Sequence, residues 1–476
     1  MRTLSPNILK ELKSASGDGG WIEDANNKIP YLFDERNLFH GQADIVLKPN
    51  STSAISEIVK ICSREKIGIV PQGGNTGYCG GSIPNSDGSE IIVALSRLNN
   101  IRALDVPNNT MTVEAGCILS DIQKKAEASN KLFPLSLGAE GSCQIGGNLA
   151  TNAGGIQVLR YGNARDLVLG LEVVLPNGQV LDGLKTLRKN NTGYDLKQLF
   201  LGAEGTLGII TAASLKLYPR PNQKITTVIA LDNPENAVAL LSRLQCEAEG
   251  SVTSFEIFNR ACLDLVLKHI NDTRDPFPDL YKTYVLAEIM ATQPNQNIRD
   301  SLEMQLTNVF EEKNLLNAVI ASNDAQSDKF WRLRETIPEA QKRAGSCIKH
   351  DISVPISKVS KFIDQATKHA KKSIRDVRVI AFGHIGDGNI HFNLSQPLEQ
   401  SANEFLAYEN SLSSEIHDIA MKLGGSFSAE HGIGVLKKPE LKRYKSDVEQ
   451  DLMSLIKDTI DPKNIMNPGK VVSPKN

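Results

Sequence analysis

At 476 residues the chain is too long for one hydrophobic core and suits two or three domains. Its 40% hydrophobic and 23% charged content is that of a soluble globular protein, and Lys+Arg 53 against Asp+Glu 55 leaves a net charge of -2, with no basic field to attract nucleic acid. No apolar run approaches the roughly 20 residues that span a bilayer, Met1-Arg2-Thr3-Leu4-Ser5-Pro6 lacks a signal core, and seven cysteines without a CxxC pair argue against disulfide or thiolate-metal frameworks, so the expectation is an unexported protein of the reducing cytoplasm.

The first part alternates helix and strand. Apolar Ile55, Ile58, Val59 and Cys62 have helical spacing within 51–66, followed by a short strand at 67–70 that runs into Pro71-Gln72-Gly73-Gly74-Asn75-Thr76-Gly77. A strand at 110–114, a helix at 118–129 and a hairpin over 169–182 turning at Asn177-Gly178 complete this region. The texture changes at Pro219-Arg220-Pro221, where the main boundary is placed. Beyond it come strands at 225–231, 252–258 and 283–290, interleaved with helices at 234–246, 261–269 and 297–310, in an α+β arrangement. A later helix is predicted over 403–423.

Four loops in the first 210 residues are crowded with Gly, Asn, Ser and Thr: Gly73 to Gly77, Gly138 to Gly147, Thr151 to Gly155, and Gly202 to Gly208. Glycine lets successive amides bend toward one anion and lets that anion approach closely. Neither a Rossmann nor a Walker glycine pattern occurs in its proper setting, so NAD and ATP lose support and a large pyrophosphate ligand of another kind is the better account.

Near the C-terminal end, His384-Ile385-Gly386-Asp387-Gly388-Asn389-Ile390-His391 reads as a hairpin. With Gly386 to Asn389 as its loop, His384 faces His391 and Phe382 faces Asn393. Directly opposed side chains lie roughly 5 Å apart at Cβ, a spacing that suits a shared divalent metal. Glu430-His431 follows within Ser428-Ala429-Glu430-His431-Gly432, giving two nitrogens, one carboxylate and a spare base. That donor set suits Zn and also admits Mn or Fe.

These segments, with Gly146-Gly147-Asn148-Leu149-Ala150-Thr151-Asn152-Ala153-Gly154-Gly155, Asn191-Thr192-Gly193-Tyr194-Asp195-Leu196, Gly205-Thr206-Leu207-Gly208-Ile209-Ile210-Thr211 and Asn464-Ile465-Met466-Asn467-Pro468-Gly469-Lys470, resemble the FAD-linked 2-hydroxyacid dehydrogenases of the vanillyl-alcohol-oxidase superfamily. The segment 135–211 is most similar to D-2-hydroxyglutarate dehydrogenase, with D-lactate dehydrogenase and the glycolate oxidase FAD subunit as near relatives. The resemblance implies an α+β fold of three parts: a vanillyl-alcohol-oxidase-type (PCMH-type) FAD-binding domain over 1–220, a substrate cap domain carrying the histidine hairpin over 221–425, and a C-terminal segment over 426–476 that returns to the flavin. It also implies noncovalent FAD, since relatives that tether the flavin through this loop place His where the chain has Asn75.

By the same resemblance, Pro71, Gly73, Gly74, Asn75, Thr76 and Gly77 cradle the pyrophosphate with Gly138, Gly141, Ser142, Gly146 and Gly147. Thr151, Asn152, Gly205 and Ile210 line the adenosine and flavin portions, and Asn467 closes the site. The metal ligands fall on His384, His391 and Glu430, and the base on His431. Arg334, Lys349, Asn393 and His431 take substrate-contacting positions. One departure is that animal-type D-2-hydroxyglutarate dehydrogenases carry Thr four residues after the arginine, where this chain has Pro338.

The implied reaction removes the hydroxyl proton of a D-2-hydroxyacid and delivers its Cα hydride to flavin N5, with re-oxidation by electron-transferring flavoprotein, quinone or cytochrome. A homodimer is the expectation by analogy. Rival readings are the same chemistry on D-lactate or glycolate, a catalytically idle FAD-binding subunit of a larger complex, and an alkyl-transferring flavoenzyme of ether-lipid synthesis. Against substrate binding by Arg334 stands a helix-surface ion pair within Trp331-Arg332-Leu333-Arg334-Glu335.

Overall fold

The computed structural model describes residues 4–474. The chain forms two compact units: one comprises the chain to Gly154, Gly162–Pro219 and the chain from Glu430, and the other comprises Gly155–Tyr161 and Arg220–Ala429. The linear expectation of parts 1–220, 221–425 and 426–476 thus meets a chain that exchanges segments. Gly155–Tyr161 groups with the second unit, where Ile156 and Leu159 pack against its two cores.

In the first unit, Trp21–Ile22, Val46–Leu47, Glu90–Ala94 and Gly68–Gln72 form a four-stranded sheet in that order, parallel across its last three strands. Glu90–Ala94 is buried at every position, as expected of a parallel strand covered on both faces. The helix Thr52–Glu65 supplies Ile55, Ile58, Val59 and Cys62 to the shared core, and Ser51 caps it through Ala54 N–H at 3.1 Å. An antiparallel sheet adds Ile101–Asp105, Thr110–Glu114, Ile209–Lys216, Val168–Val174 and Val180–Gly183. The hairpin predicted around Asn177-Gly178 is its last pair, with Gly178 at φ 81° as the turn requires.

The second unit is built on one antiparallel sheet running Asn317–Ile320, Gln223–Leu231, Thr283–Ala291, Ser251–Asn259, Arg378–His384 and Asn389–Ser395. Two short strands, Cys347–Ile348 and Asp351–Ser353, both pair with Asn389–Ser395. Alternation divides the side chains between two cores. Ile257, Val379, Ile390 and Leu394 face one, and Phe258, Ile380 and Phe382 face the other. The helix predicted over 403–423 is two, Ala402–Leu406 and Glu409–Lys422. The ladder tightens where Tyr408 N–H bonds the Phe405 carbonyl, and Phe405 and Leu412, seven residues apart, enter the same core from the two helices. Among the described residues no helix is long and apolar enough to cross a membrane, and no disulfide joins any of the seven cysteines.

Candidate active site

The strand Gly68–Gln72 ends in the loop Gly73 to Gly77. None of these five amides has a protein acceptor among the described residues, and neither do those of Gly138, Ala139 and Gly141. Gly74, Asn75, Thr76, Gly138, Ala139 and Ser142 line one side of a cleft of about 480 Å³ that Pro30, Phe33, Asp34 and Glu35 close on the other. A side chain at Gly74 would strike the Ser142 carbonyl, so the two glycine loops could not come this close with any larger residue. Asn75 holds the loop in shape: its amide donates to the carbonyls of Phe33 at 2.8 Å and Pro30 at 3.2 Å, and it accepts from Ser82 Oγ at 2.8 Å. The unspent amides of Gly74, Asn75, Thr76, Gly138 and Ala139 line this cleft, an arrangement suited to an anion.

The other expected cofactor residues divide by role. Gly146 and Gly147 do not offer amides to a phosphate, because these already bond the carbonyls of Ala115 and Gln144 at 2.8 and 3.0 Å. Gly146 serves close packing instead, since a Cβ there would lie 2.7 Å from Ala115 Cβ. Ser142 N–H is likewise spent on Ala139. Thr151 bonds the Gly147 carbonyl at 2.9 Å, and Asn152 accepts from Arg165 N–H at 2.9 Å. Ile210 is a buried strand residue, and Gly205, at φ 73°, packs against Pro71. Asn467 donates to the carbonyls of Gly81 and Glu204, both at 2.8 Å, while its buried Oδ1 has no partner among the described residues. The same is true of Gln144 Oε1 and Asn148 Oδ1. A buried amide oxygen without a donor is costly, so these three fit a bound polar cofactor. Gln144 and Asn148 were not singled out by sequence, although both sit within the glycine-rich stretch.

The histidine hairpin differs from its expected register. Asp387 and Gly388 N–H both bond the His384 carbonyl, so the loop is 385–388 rather than 386–389. His384 therefore opposes Asn389, His391 opposes Phe382, and Asn393 opposes Ile380. The cause is Asn389, whose amide is tied to Asp351 Oδ1 at 3.0 Å and the Ile352 carbonyl at 2.9 Å and so belongs to the strand. The shift is by two in pairing and preserves the face. His384 and His391 remain diagonal neighbours with ring centroids 5.8 Å apart.

Two carboxylates from other strands back this face. Glu256, opposite His384 on the neighbouring strand, accepts from His384 Nδ1 at 2.6 Å and forms an ion pair with the Arg334 guanidinium at 2.8 Å. Burial opposes its ionised form, but the charges of His384 and Arg334 outweigh burial and hold the carboxyl below its usual range. Asp351 Oδ1 lies 3.9 Å from His391 Nδ1. Arg334 is not a helix-surface residue: it is 6% exposed, stacks 4.7 Å over Phe382, and keeps a buried Nε without an acceptor among the described residues. Asn393, on the same face, is held by Gln341 at 2.8 Å and by His350 N–H at 3.2 Å. Lys349 is exposed, between Ile348, paired with Leu394, and Asp351, paired with His391. Glu256, Asp351 and Gln341 carry no local sequence signal; pairing partners 128 and 38 residues away from Glu256 and Asp351 reveal them.

In the first unit, Glu430 begins the closing segment, and the half-buried His431 meets the ring of Tyr78 edge-on, with centroids 5.0 Å apart. Burial, then the nearby Glu35 charge, raises the Tyr78 phenol above its ordinary range. Arg36 stacks over that ring and donates to the Tyr78 carbonyl.

Residues 220–471 match the family described as FAD linked oxidases, C-terminal domain, and residues 43–183 match the FAD binding domain. The chain is 36% identical over 471 residues to a probable mitochondrial D-2-hydroxyglutarate dehydrogenase of Oryza sativa subsp. indica, covering 98% of this chain and 82% of that protein. It is 34% identical over 486 residues to a putative mitochondrial D-lactate dehydrogenase of Schizosaccharomyces pombe, covering 98% and 90%. An alkyldihydroxyacetonephosphate synthase structure superposes with a TM-score of 0.74 at 19% identity, over 98% of this chain and 85% of the other, which shows a shared vanillyl-alcohol-oxidase-type fold.

Proposed function

Because the chain belongs to the FAD-linked oxidases, within the D-2-hydroxyglutarate dehydrogenase family, we propose that this FAD-linked D-2-hydroxyacid dehydrogenase converts D-2-hydroxyglutarate to 2-oxoglutarate and depends on a divalent metal. The observation that carries the diacid reading is the buried Arg334, whose Nε lacks an acceptor and which shares Glu256 with His384. A monocarboxylate such as lactate does not need both Arg334 and Lys349, whereas a distal carboxylate would take up the second cation.

The loops Gly73 to Gly77 and Gly138 to Gly141 would hold the FAD pyrophosphate, and the oxygens of Gln144, Asn148 and Asn467 would accept from hydroxyl or N–H donors elsewhere on the cofactor. His384, His391 and Glu430 would hold the metal. The donor chemistry fits: Glu256 takes His384 Nδ1, which leaves Nε2 for a ligand role, in the carboxylate-backed arrangement common to histidine metal ligands. When bound, FAD supplies the hydride acceptor, and a divalent cation, zinc by these donors, supplies charge that lowers the pKa of the substrate hydroxyl. His431 accepts the hydroxyl proton on a ring nitrogen, the general-base role open to a neutral imidazole. Arg334 and Lys349 bind carboxylates, and Asn393 orients the substrate.

A second reading is D-lactate oxidation, favoured by Pro338, which lies in the first turn of the helix Ile337–Arg343 where a hydroxyl donor would otherwise stand. Electron-transferring flavoprotein or quinone as acceptor, a homodimer and a cytoplasmic setting complete the proposal; cysteines without disulfides are compatible with the last. Steady-state turnover of D-2-hydroxyglutarate, D-lactate, D-malate and glycolate with a dye acceptor tests it. The highest kcat/KM is expected for D-2-hydroxyglutarate, and a preference for D-lactate would overturn the diacid assignment.

A further inference from the structure

Glu204 occupies a backbone conformation that disfavours it, at φ 51°, where glycine would sit without strain. Its side chain explains its presence. One carboxylate oxygen accepts the Ile433 N–H at 2.7 Å and the other accepts the Gly434 N–H at 2.8 Å. Its own N–H bonds the Ala150 carbonyl at 2.8 Å, and its carbonyl accepts from Asn467 at 2.8 Å, so the carboxylate is presented from a fixed backbone. Burial raises its pKa, and the two N–H donors act against burial to favour the anion.

The clamped amides lie two and three residues after His431. Gly432, between them and the histidine, is at φ 73°, and a Cβ there would lie 2.6 Å from Glu204 Oε1. A second mooring follows: Val435 and Leu436 N–H bond the Cys79 carbonyl at 2.8 and 3.2 Å, next to the Tyr78 ring that meets His431. The chain leaving His431 is therefore tied to Glu204, inside the loop Gly202 to Gly208, and to Cys79, just after the loop Gly73 to Gly77.

We propose that Glu204 is a positioning residue for His431: its two-oxygen clamp on Ile433 and Gly434 fixes the direction in which the imidazole leaves the backbone. Glu204 touches neither substrate nor cofactor in this role, which rests on the reading of His431 as proton acceptor. A displacement on the order of 1 Å at a reacting group costs about a hundredfold in rate. Substitution of Glu204 should thus act on the chemical step and only while His431 is present.

The test is anaerobic single-turnover reduction of the FAD-loaded enzyme by D-2-hydroxyglutarate, in wild type, Glu204→Gln, His431→Ala and the double variant. Glutamine keeps the size but turns one acceptor into a donor facing an N–H. Glu204→Gln should slow flavin reduction about ten- to hundredfold with FAD content unchanged, and should add no slowing in the His431→Ala background. Hydrogen exchange in the peptide 430–436 should accelerate in Glu204→Gln whether or not substrate is present. Equal slowing in both backgrounds, or unchanged reduction with accelerated exchange, would overturn the proposal. If Glu204→Gln loses FAD or fails to fold, Gly432→Ala, which crowds the same carboxylate from the other side, carries the same cycle. His431→Ala with undiminished reduction would instead overturn the base assignment, and the positioning role with it.

Discussion

Glu256 joins His384 to Arg334: one oxygen accepts from His384 Nδ1 at 2.6 Å, and the other forms an ion pair with the guanidinium at 2.8 Å. A single buried carboxylate thereby fixes the tautomer of a proposed metal ligand and the orientation of a proposed substrate anchor. Replacing it by Gln removes the charge from both. Glu256→Gln should weaken metal affinity about 10- to 100-fold, read by titration of the apoprotein with zinc, and leave FAD bound. Unchanged zinc affinity would show that His384 does not ligate through this arrangement.

His391→Ala should remove most bound metal and activity without loss of flavin, because His391 belongs to the unit of Arg220–Ala429 and the glycine loops to the other. Metal analysis and the visible flavin spectrum of the purified variant check both halves. A metal-free His391→Ala protein with normal turnover would remove the metal from the reaction.

The flavin should be released by acid. Asn75 stands where tethering relatives have His, and its side chain is occupied by Phe33, Pro30 and Ser82. Trichloroacetic acid precipitation should leave a colourless pellet and yellow supernatant, and colour in the pellet would indicate a covalent bond formed elsewhere.

Arg334→Lys should penalise D-2-hydroxyglutarate more than D-lactate, by about ten- to a hundredfold in kcat/KM. A charge-assisted hydrogen bond to the distal carboxylate is worth roughly 1.5–3 kcal/mol, and lysine cannot reproduce the planar fork. The buried ion pair with Glu256 is kept by the substitution, so melting temperature should move less than activity. Equal losses on both acids would reassign Arg334 to the carboxylate they share.

Loss of the Asn389 anchor should disturb the histidine face without touching either ring. Asn389→Ala removes two buried hydrogen bonds, to Asp351 Oδ1 and to the Ile352 carbonyl, a cost of about 1–3 kcal/mol each. Thermal unfolding should show a lower midpoint, and zinc affinity should fall with it. A fully retained midpoint would mean that the hairpin register is set by the Gly388 turn alone.

Much of the molecule was legible in the residues because it depends on local backbone chemistry. The glycine loops, the Asn177-Gly178 turn, the capped helix Thr52–Glu65 and the strand periodicities are short-range consequences of φ preferences and side-chain spacing, and they stand close to where the sequence puts them. The placement of His384 and His391 on one face was equally available, since a strand alternates with period two. What tertiary structure decided was the rest: Asn389 joins its strand because Asp351 and Ile352 arrive from elsewhere, and that moved the pairing by two. Glu256 and Glu204 acquire their roles from partners 128 and 229 residues distant in sequence, and Gly155–Tyr161 leaves its neighbours for the other unit. A buried carboxylate must find its donors wherever the fold brings them, and no local pattern records where that is.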